Sequence, residues 1–371
     1  MLWIPGPTEV RPEILAECAR AMIGHRGPKM AETIERLDPG LRLAFGLEAD
    51  STAHVAVHSA SATAMMEAAL LGSGERVLSV VNGAFSKRFA EVARTLGKDV
   101  HVLEVAWGSA ASAAELDARL AQDGPFDALT VVSSETSTGT LTPLADVAEA
   151  LRSHPETLLL VDLVSYIAAA PVDFDAHGID FAFAGVQKAL ALPPGISVVC
   201  ASQRYLESAR EVPRRGYYLD PVRFIAGHEE RKTPVTPCIP LYFALARQLE
   251  DITQGRTLPA PDAGKTGRDA WDARFAKHGR MRQRTRAWAR ARELEPLPEE
   301  RLASPTVACI RAGNVDVAAL VAGLKARDLE ISNGYGDLKG KTFRIGHMGD
   351  HTEEGLARLL EAAGEVLERM A

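Results

Sequence analysis

Lys188 is the side chain of this sequence best placed to act as a nucleophile. It lies in the mostly apolar run of residues 181–190, shortly before the turn Pro193-Pro194-Gly195. Because burial of an ammonium group is costly, a lysine at the end of a buried strand tends to lose its proton. A neutral lysine amine suits Schiff-base formation with a carbonyl cofactor such as pyridoxal phosphate. A strand-end lysine with its amine in water is the simpler interpretation, and other residues must decide between the two.

Asp162, which lies 26 residues before Lys188, is the second candidate. It ends the apolar run of residues 158–161, which has no polar alternation and predicts a strand buried on both faces. An aspartate in that place lies at the carboxyl edge of a sheet, where open α/β folds bind ligands. A carboxylate there would keep a pyridinium nitrogen protonated, so that the ring accepts electrons. A cap or turn role explains Asp162 taken alone equally well.

Three small residues, Ser61, Ala62 and Thr63, open a predicted helix at residues 61–71. Small side chains let the backbone approach an anion closely, and the amides and dipole of a helix N-terminus favour phosphate. A simple capping role is the competing interpretation. The segment is therefore a candidate phosphate site, with both interpretations open at this point.

Three further side chains are candidates for contact with a cofactor or substrate. Phe85 comes after a predicted strand and an Asn82-Gly83 turn, so its ring could stack on a pyridine ring or belong to a helix core. Thr136 follows the predicted strand 128–133 and could bond either a cofactor oxygen or water. Arg344 lies in a strand-like segment and could hold a carboxylate in a bidentate fork or lie at an exposed edge.

The pattern of apolar residues predicts strands and helices in alternation up to about residue 201. The predicted strands are 77–81, 100–105, 128–133, 158–162, 180–184 and 197–201. The predicted helices are 11–23, 29–45, 61–71, 87–96, 113–121 and 144–152. This alternation predicts an α/β fold in which helices cover both faces of a mostly parallel sheet.

The segment 254–277 is rich in glycine, proline and charge, and we interpret it as the passage out of the large unit. Beyond it, a smaller α+β unit is predicted from helices at 281–293, 315–327 and 352–370 and a strand at 306–311. The length of 371 residues also favours two domains. The predicted division is an N-terminal arm at residues 1–17, a large domain at 18–254 and a small domain at 255–371.

Charge and composition limit the classes of partner. The 42 basic and 49 acidic residues give a net charge of −7, which argues against nucleic acid. The start of the chain lacks a basic segment followed by an apolar one, and no apolar run approaches the roughly 18 residues of a membrane span. The four cysteines are scattered and predict reduced core thiols rather than a metal site. We expect a soluble cytoplasmic enzyme that uses neither a membrane nor a metal.

With these segments in place, the chain resembles the class V aminotransferases of fold type I, in the branch that contains alanine–glyoxylate and serine–pyruvate aminotransferases. The resemblance runs from Pro5-Gly6-Pro7-Thr8 to Arg344-Ile345-Gly346, and Gln187-Lys188-Ala189-Leu190 is its most specific part. It implies a large domain with a seven-stranded, mostly parallel sheet between layers of helices, and a smaller C-terminal α+β domain. It also implies pyridoxal 5'-phosphate as the cofactor.

The family's motifs also imply roles for the candidate residues. Lys188 would form the Schiff base with the cofactor, and Asp162 would pair with its pyridine nitrogen. Gln187 and the segment 61–63 would bind its phosphate, and Thr136 would lie near its ring.

The remaining roles concern the ring face and the substrate. The family places an aromatic residue, often tryptophan, where this chain has Phe85, and usually glycine where it has Ala62. Arg344 would hold the α-carboxylate of the substrate, and backbone groups around Gly6 would pass near the same carboxylate.

Two segments bear on the substrate and on assembly. His25-Arg26 resembles a pair with which phosphoserine aminotransferases grip a substrate phosphate or second carboxylate, although a helix-end cation cluster explains it equally well. The segment 233–237 resembles the one by which one subunit reaches its neighbour's cofactor phosphate. Thr236 is favoured over Thr233 for that contact, and the active site would then form at the interface of a homodimer.

The resemblance favours transfer of the amino group of alanine or serine to a 2-oxo acid such as glyoxylate or pyruvate. Phosphoserine:2-oxoglutarate transamination is the alternative, and His25-Arg26 favours it. A cysteine desulfurase would need a cysteine in a mobile loop, whereas Cys309 lies in the predicted strand 306–311. A protein that binds the cofactor without catalysis would have no need of Arg344.

Overall fold

The chain forms a large central sheet and two smaller sheets in a computed structural model that describes residues 1–370. The strands are β1 (His54–His58), β2 (Arg76–Val81), β3 (Asp99–Glu104), β4 (Ala128–Val132), β5 (Ser134–Glu135), β6 (Thr140–Leu141), β7 (Leu158–Asp162), β8 (Phe181–Gly185), β9 (Ser197–Ala201), β10 (Val307–Arg311), β11 (Ser332–Asn333) and β12 (Thr342–Gly346). The central sheet has seven strands in the order β1-β9-β8-β7-β4-β2-β3, and β9 alone runs antiparallel to its neighbours. The predicted seven-stranded, mostly parallel sheet is confirmed.

Twelve α-helices surround the sheets within residues 1–370. They are α1 (Pro12–Cys18), α2 (Pro28–Ala44), α3 (Ala62–Leu71), α4 (Ala84–Thr95), α5 (Ala113–Asp123), α6 (Leu144–Leu151), α7 (Gln203–Glu211), α8 (Pro221–Glu229), α9 (Ile239–Thr253), α10 (Gly267–Arg290), α11 (Val317–Lys325) and α12 (Glu353–Met370). Within residues 1–370, none of the helices is both long enough and apolar enough to cross a bilayer.

Both faces of the central sheet are buried, and the alternation of side chains along β7 shows how. Leu159 and Val161 belong to one apolar core, whereas Leu158 and Leu160 belong to a second core on the other face. A strand buried on both faces needs the continuous apolar run that the sequence has there. Because β4, β7 and β8 run parallel, the polar residues that follow them meet at one edge of the sheet.

The C-terminal part forms a third apolar core around the antiparallel sheet β10-β12-β11. Phe343 and Ile345 of β12 pack there with Leu320 of α11 and Leu356 of α12. Trp3, from the beginning of the chain, is fully buried in the same core. The first residues therefore pack against the C-terminal unit, while the domain boundaries given above stay a prediction.

Several sequence-based assignments were wrong or incomplete. Strand β1 was missed, because it is short, begins and ends at histidines, and lies at the edge of the sheet with β9 as its neighbour. Helices α7, α8 and α9 were left unassigned. The predicted first helix extends too far, since α1 ends at Cys18.

The segment 254–277 is more than a connection out of the large unit, because α10 begins within it, at Gly267. Its charged residues suggested exposure, yet Arg274 is fully buried and Lys277 nearly so. Arg274 donates to the carbonyl oxygens of Ala168 and Ala189 and pairs with Asp350, which satisfies the buried charge.

The prediction that the cysteines are core thiols holds for two of the four. All four cysteines are free, but only Cys200 and Cys309 are buried. Cys18 and Cys238 are half-buried at the ends of α1 and α9.

Candidate active site

Most of the sequence-predicted site residues line one cavity at the carboxyl edge of the central sheet. The cavity encloses about 570 Å³ of space, part of which is open to solvent. The predicted residues that line it are Ser61, Ala62, Thr63, Phe85, Thr136, Asp162, Gln187 and Lys188. These residues come from five separate segments of the chain, so only the folded sheet brings them together.

Lys188 lies three residues beyond the end of β8 and only 9% of its surface is exposed. Its ammonium group donates to the carbonyl oxygen of Pro5. Burial lowers the pKa of Lys188 to about 8, and the nearby Arg344 guanidinium acts in the same direction. The amine therefore loses its proton more readily than that of an exposed lysine, as a nucleophile or base requires.

Gly6 lets the N-terminal segment pass against this lysine. A Cβ atom at position 6 would lie 2.4 Å from Cδ and 2.6 Å from Nζ of Lys188. Gly6 also has a φ of +93°, a conformation that side chains disfavour. The resemblance implies that backbone groups around Gly6 pass near the substrate carboxylate. In the structure, Gly6 lies against the Lys188 side chain.

Asp162 is the last residue of β7, and 4% of its surface is exposed. Its Oδ1 atom accepts a hydrogen bond of 2.8 Å from the Val164 N–H. Burial raises the pKa of the Asp162 carboxyl to about 7, against weaker opposing effects of Lys188 and Arg88. A cationic N–H donor bound in the cavity would favour the ionised carboxylate, and a protonated pyridine nitrogen is such a donor.

The segment 61–63 opens onto the cavity at the N-terminus of α3. Ser61 occupies the N-cap position, but its side chain makes no capping hydrogen bond. The simple capping interpretation is therefore wrong for the Ser61 side chain. Ser61, Ala62 and Thr63 present a hydroxyl-bearing helix start to the cavity, which is chemistry that suits a phosphate.

Phe85 lies in the first turn of α4, and Glu135 fixes that turn. Glu135 is fully buried, and its Oε2 atom accepts hydrogen bonds from the N–H groups of Phe85 (3.0 Å) and Ser86 (2.9 Å). Its Oε1 atom accepts from the N–H and hydroxyl groups of Ser137. A Cβ atom at Gly83 would lie 2.3 Å from Cγ of Glu135, so the glycine allows this close approach.

Arg88 and Glu135 were both missed by the sequence analysis. Arg88 lines the cavity one helical turn after Phe85, with its guanidinium carbon 4.9 Å from the centre of the Phe85 ring. The spacing of three residues between Phe85 and Arg88 was the available signal, because such pairs share a helix face. Glu135 offered only its place between a predicted strand and a glycine.

Arg344 lies on β12, beside the cavity rather than in its wall. Its Nη1 atom donates to the carbonyl oxygen of Thr136 (3.2 Å) and its Nε atom to that of Asn333 (3.1 Å). The Thr136 hydroxyl makes a hydrogen bond of 2.6 Å with the hydroxyl of Ser165, a cavity residue that sequence reasoning missed. Arg344 is therefore held at the junction between the C-terminal sheet and the cavity.

The protomer does not bring Arg26 or Thr236 to the wall of this cavity, and both are exposed. His25 and Thr233 are half-buried, and each has a buried side-chain atom without a hydrogen-bond partner within residues 1–370. Cys238 donates from its N–H to the Ser59 hydroxyl at 2.8 Å. That bond ties the segment around Thr236 to the stretch just before the helix start at residues 61–63.

Comparison with known proteins agrees with this arrangement. The family described as Aminotransferase class-V matches residues 49–249, which is more than half of the chain. Serine–glyoxylate aminotransferase of Methylorubrum extorquens is 30% identical and covers 98% of this chain and 89% of that protein. A Synechococcus protein named soluble hydrogenase, small subunit, is also 30% identical, over 99% of this chain and 92% of that protein.

The same similarity extends to solved structures. A crystal structure of aspartate aminotransferase from Thermus thermophilus superimposes with a TM-score of 0.87 at 31% identity. It covers 100% of this chain and 99% of that one, so the whole architecture is shared, including the C-terminal unit. The family and these neighbours imply pyridoxal phosphate as the cofactor. This chain therefore belongs to the class V aminotransferases, which are enzymes that transfer amino groups.

Proposed function

We propose that this enzyme transfers the amino group of a small amino acid, alanine or serine, to a 2-oxo acid such as glyoxylate or pyruvate. The observation that carries the proposal is the pair Lys188 and Asp162 in one cavity, beside Arg344. Burial shifts the pKa of the lysine down and that of the aspartate up, which is typical of groups that bind a cationic ring and move a proton. Relatives named serine–glyoxylate and alanine–glyoxylate aminotransferase favour these substrates.

The residues of the cavity fit pyridoxal phosphate as follows. Lys188 would carry it covalently, Asp162 would bond its ring nitrogen and Phe85 would cover one face of its ring. The segment 61–63 and Gln187 would hold its phosphate. When bound, the cofactor accepts the electron pair that the α-carbon of the substrate releases as its proton leaves.

The protein side chains then divide the remaining work. Arg344 would hold the α-carboxylate, because a guanidinium matches a carboxylate with two parallel hydrogen bonds. Its bonds to the carbonyl groups of Thr136 and Asn333 fix its direction. Lys188, as a neutral amine, would take the α-proton from the substrate and deliver it to the cofactor rather than back to the α-carbon, which is general acid–base action. Asp162, as a carboxylate, would keep the ring nitrogen protonated throughout.

We further propose that the working enzyme is a cytoplasmic homodimer with shared active sites. Thr236 is exposed in the protomer, so a neighbouring subunit is free to receive it. The hydrogen bond between Cys238 and Ser59 holds the segment of Thr236 beside the stretch that leads into residues 61–63. The Synechococcus relative is named a hydrogenase subunit, but the residues gathered in this cavity are those of amino-group chemistry, so we propose no hydrogenase activity.

Substrate preference tests the proposed function against the phosphoserine alternative. We expect purified enzyme loaded with pyridoxal phosphate to use alanine and serine with a higher kcat/KM than phosphoserine. If Arg26 gripped a substrate phosphate, Arg26→Ala would cost about 2–5 kcal/mol in kcat/KM for phosphoserine alone. Because Arg26 is exposed and lies outside the cavity wall, we expect the variant to change kcat/KM for all three substrates about equally.

Lys29→Ala is the matched control, since Lys29 is an exposed cation three residues later in the chain. Its variant is expected to resemble the wild type with every substrate. A wild-type preference for phosphoserine of a hundredfold or more, lost only in Arg26→Ala, would replace the proposed substrates by phosphoserine. No turnover of any of the three amino acids with glyoxylate, pyruvate or 2-oxoglutarate would refute the substrate assignment altogether.

A further inference from the structure

The connection between β11 and β12 is a short loop, residues 334–341, that its own hydrogen bonds hold in one shape. The N–H of Gly334 donates to the carbonyl oxygen of Thr342 (2.7 Å), and the N–H of Gly340 donates to Oδ1 of Asn333 (2.8 Å). A Cβ atom at Gly334 would lie 2.0 Å from the Leu338 carbonyl oxygen, so only glycine fits this close approach. The loop is therefore preorganised and presents its side chains in fixed directions.

Tyr335 is the side chain of this loop that approaches two candidate site residues, Arg344 and Phe85, beside the cavity. The guanidinium carbon of Arg344 lies 5.5 Å from the centre of the Tyr335 ring, within the range of a cation–π contact. The Tyr335 and Phe85 rings lie 5.8 Å apart. The ring thus stands between the arginine proposed to hold the substrate carboxylate and the ring proposed to cover the cofactor.

Trp107 lies close to the residue that follows Tyr335. A Cβ atom added at Gly336 would be in ordinary van der Waals range of this ring, 3.5 Å from Cη2 of Trp107. Tyr335 nevertheless keeps 37% of its surface exposed. The Tyr335 ring therefore offers a partly exposed aromatic surface beside Arg344, where it can limit the size of a bound ligand.

Resting on the proposed transamination, we propose that Tyr335 is a specificity-determining residue that limits the size of the substrate side chain. A substrate whose carboxylate is held by Arg344 lies next to the Tyr335 ring. A methyl or hydroxymethyl side chain fits beside the ring, whereas a branched or aromatic side chain competes with it for the same space. The ring acts through its volume, and its hydroxyl group contributes little.

The test compares Tyr335→Ala with Tyr335→Phe, which keeps the ring and removes only the hydroxyl group. The quantity measured is the ratio of kcat/KM for phenylalanine to kcat/KM for alanine. Tyr335→Ala is expected to raise this ratio at least about tenfold, because one or more methylene groups of misfit are worth that much in an apolar pocket. Tyr335→Phe is expected to stay within about twofold of the wild type. A ratio that is unchanged in Tyr335→Ala would overturn the proposal, and an equal change in both variants would assign the effect to the hydroxyl group instead.

Binding of unreactive carboxylates gives a second readout that needs no turnover. Propionate and 3-phenylpropionate both offer a carboxylate to Arg344, and calorimetry on the cofactor-loaded protein measures their Kd values. Tyr335→Ala is expected to improve the affinity for 3-phenylpropionate relative to propionate at least about tenfold, again through released space. An unchanged Kd ratio would contradict the size limit. Wild-type turnover of alanine separates this outcome from failure of the proposed function, since that turnover does not depend on what Tyr335 excludes.

Discussion

Replacing Lys188 by alanine is expected to abolish measurable transamination while leaving a folded protein. The variant loses the amine that would carry the cofactor and the base that would move the α-proton. The second loss alone is worth about 10²–10⁴-fold in rate. The Lys188 side chain makes one hydrogen bond, to the Pro5 carbonyl, and borders a cavity, so its truncation removes little packing. Steady-state assays with alanine and glyoxylate, together with circular dichroism, check the result.

Lys277→Met is the matched control for this variant. Lys277 is also buried, with its pKa lowered to about 7 by burial, and its Nζ atom donates to the Gly349 carbonyl at 2.8 Å. It does not line the cavity, so the change is expected to alter the free energy of unfolding and to leave kcat close to that of the wild type. Wild-type turnover by Lys188→Ala, or loss of turnover in a folded Lys277→Met protein, would show that the lysine assignment is wrong.

Asp162→Asn is expected to weaken the binding of pyridoxal phosphate and to slow proton abstraction. The charge-assisted hydrogen bond from the ring nitrogen is lost, and such a bond is worth about 1.5–3 kcal/mol. Equilibrium titration of the cofactor-free protein measures the Kd, and single-turnover kinetics with alanine measure the rate. Unchanged values of both would exclude the proposed pairing with the ring nitrogen.

The same substitution is expected to stabilise the cofactor-free protein at alkaline pH. Because burial raises the Asp162 pKa from 3.8 to about 7, its neutral form is favoured in the folded state. That contribution to stability is present below about pH 4 and is lost as the pH rises through about 7. Asparagine does not ionise, so the variant should gain over the wild type by about 2 kcal/mol as the pH rises from 5.5 to 8.5, most of it below about pH 7. Thermal unfolding measures the two proteins across this range. If the stability of the variant relative to the wild type does not rise with pH, the pKa of Asp162 is not raised in the folded state.

The central sheet was largely predictable, because its strands carry their signal locally. The run at residues 158–162 predicts β7 with its observed bounds, since a strand buried on both faces needs an unbroken apolar segment. Strand β1 carries no such signal and depends on antiparallel pairing with β9. Helix α10 was missed over residues 267–280 because its buried charges are satisfied by partners far away in sequence, as the pair Arg274 and Asp350 shows.

The candidate site also contains residues that the local sequence predicts and residues that it does not. Asp162 and Lys188 follow neighbouring parallel strands, so the sequence pattern already predicts that they lie at one edge of the sheet. The proposed roles of Phe85 and Arg344 came from the resemblance to a family, since neither residue is distinctive by type. Tyr335 was not predictable, because its place follows from how a loop of the C-terminal sheet packs against Phe85.

The most direct test of the account is to find the lysine that carries the cofactor. Borohydride reduction of the holoprotein fixes pyridoxal phosphate on its lysine, and peptide mass spectrometry locates the label. We expect one label per chain, on the peptide that contains Lys188, and none in the Lys188→Ala variant treated alike. A label on Lys277 or another lysine, or no covalent label in a protein that turns over alanine, would contradict the account.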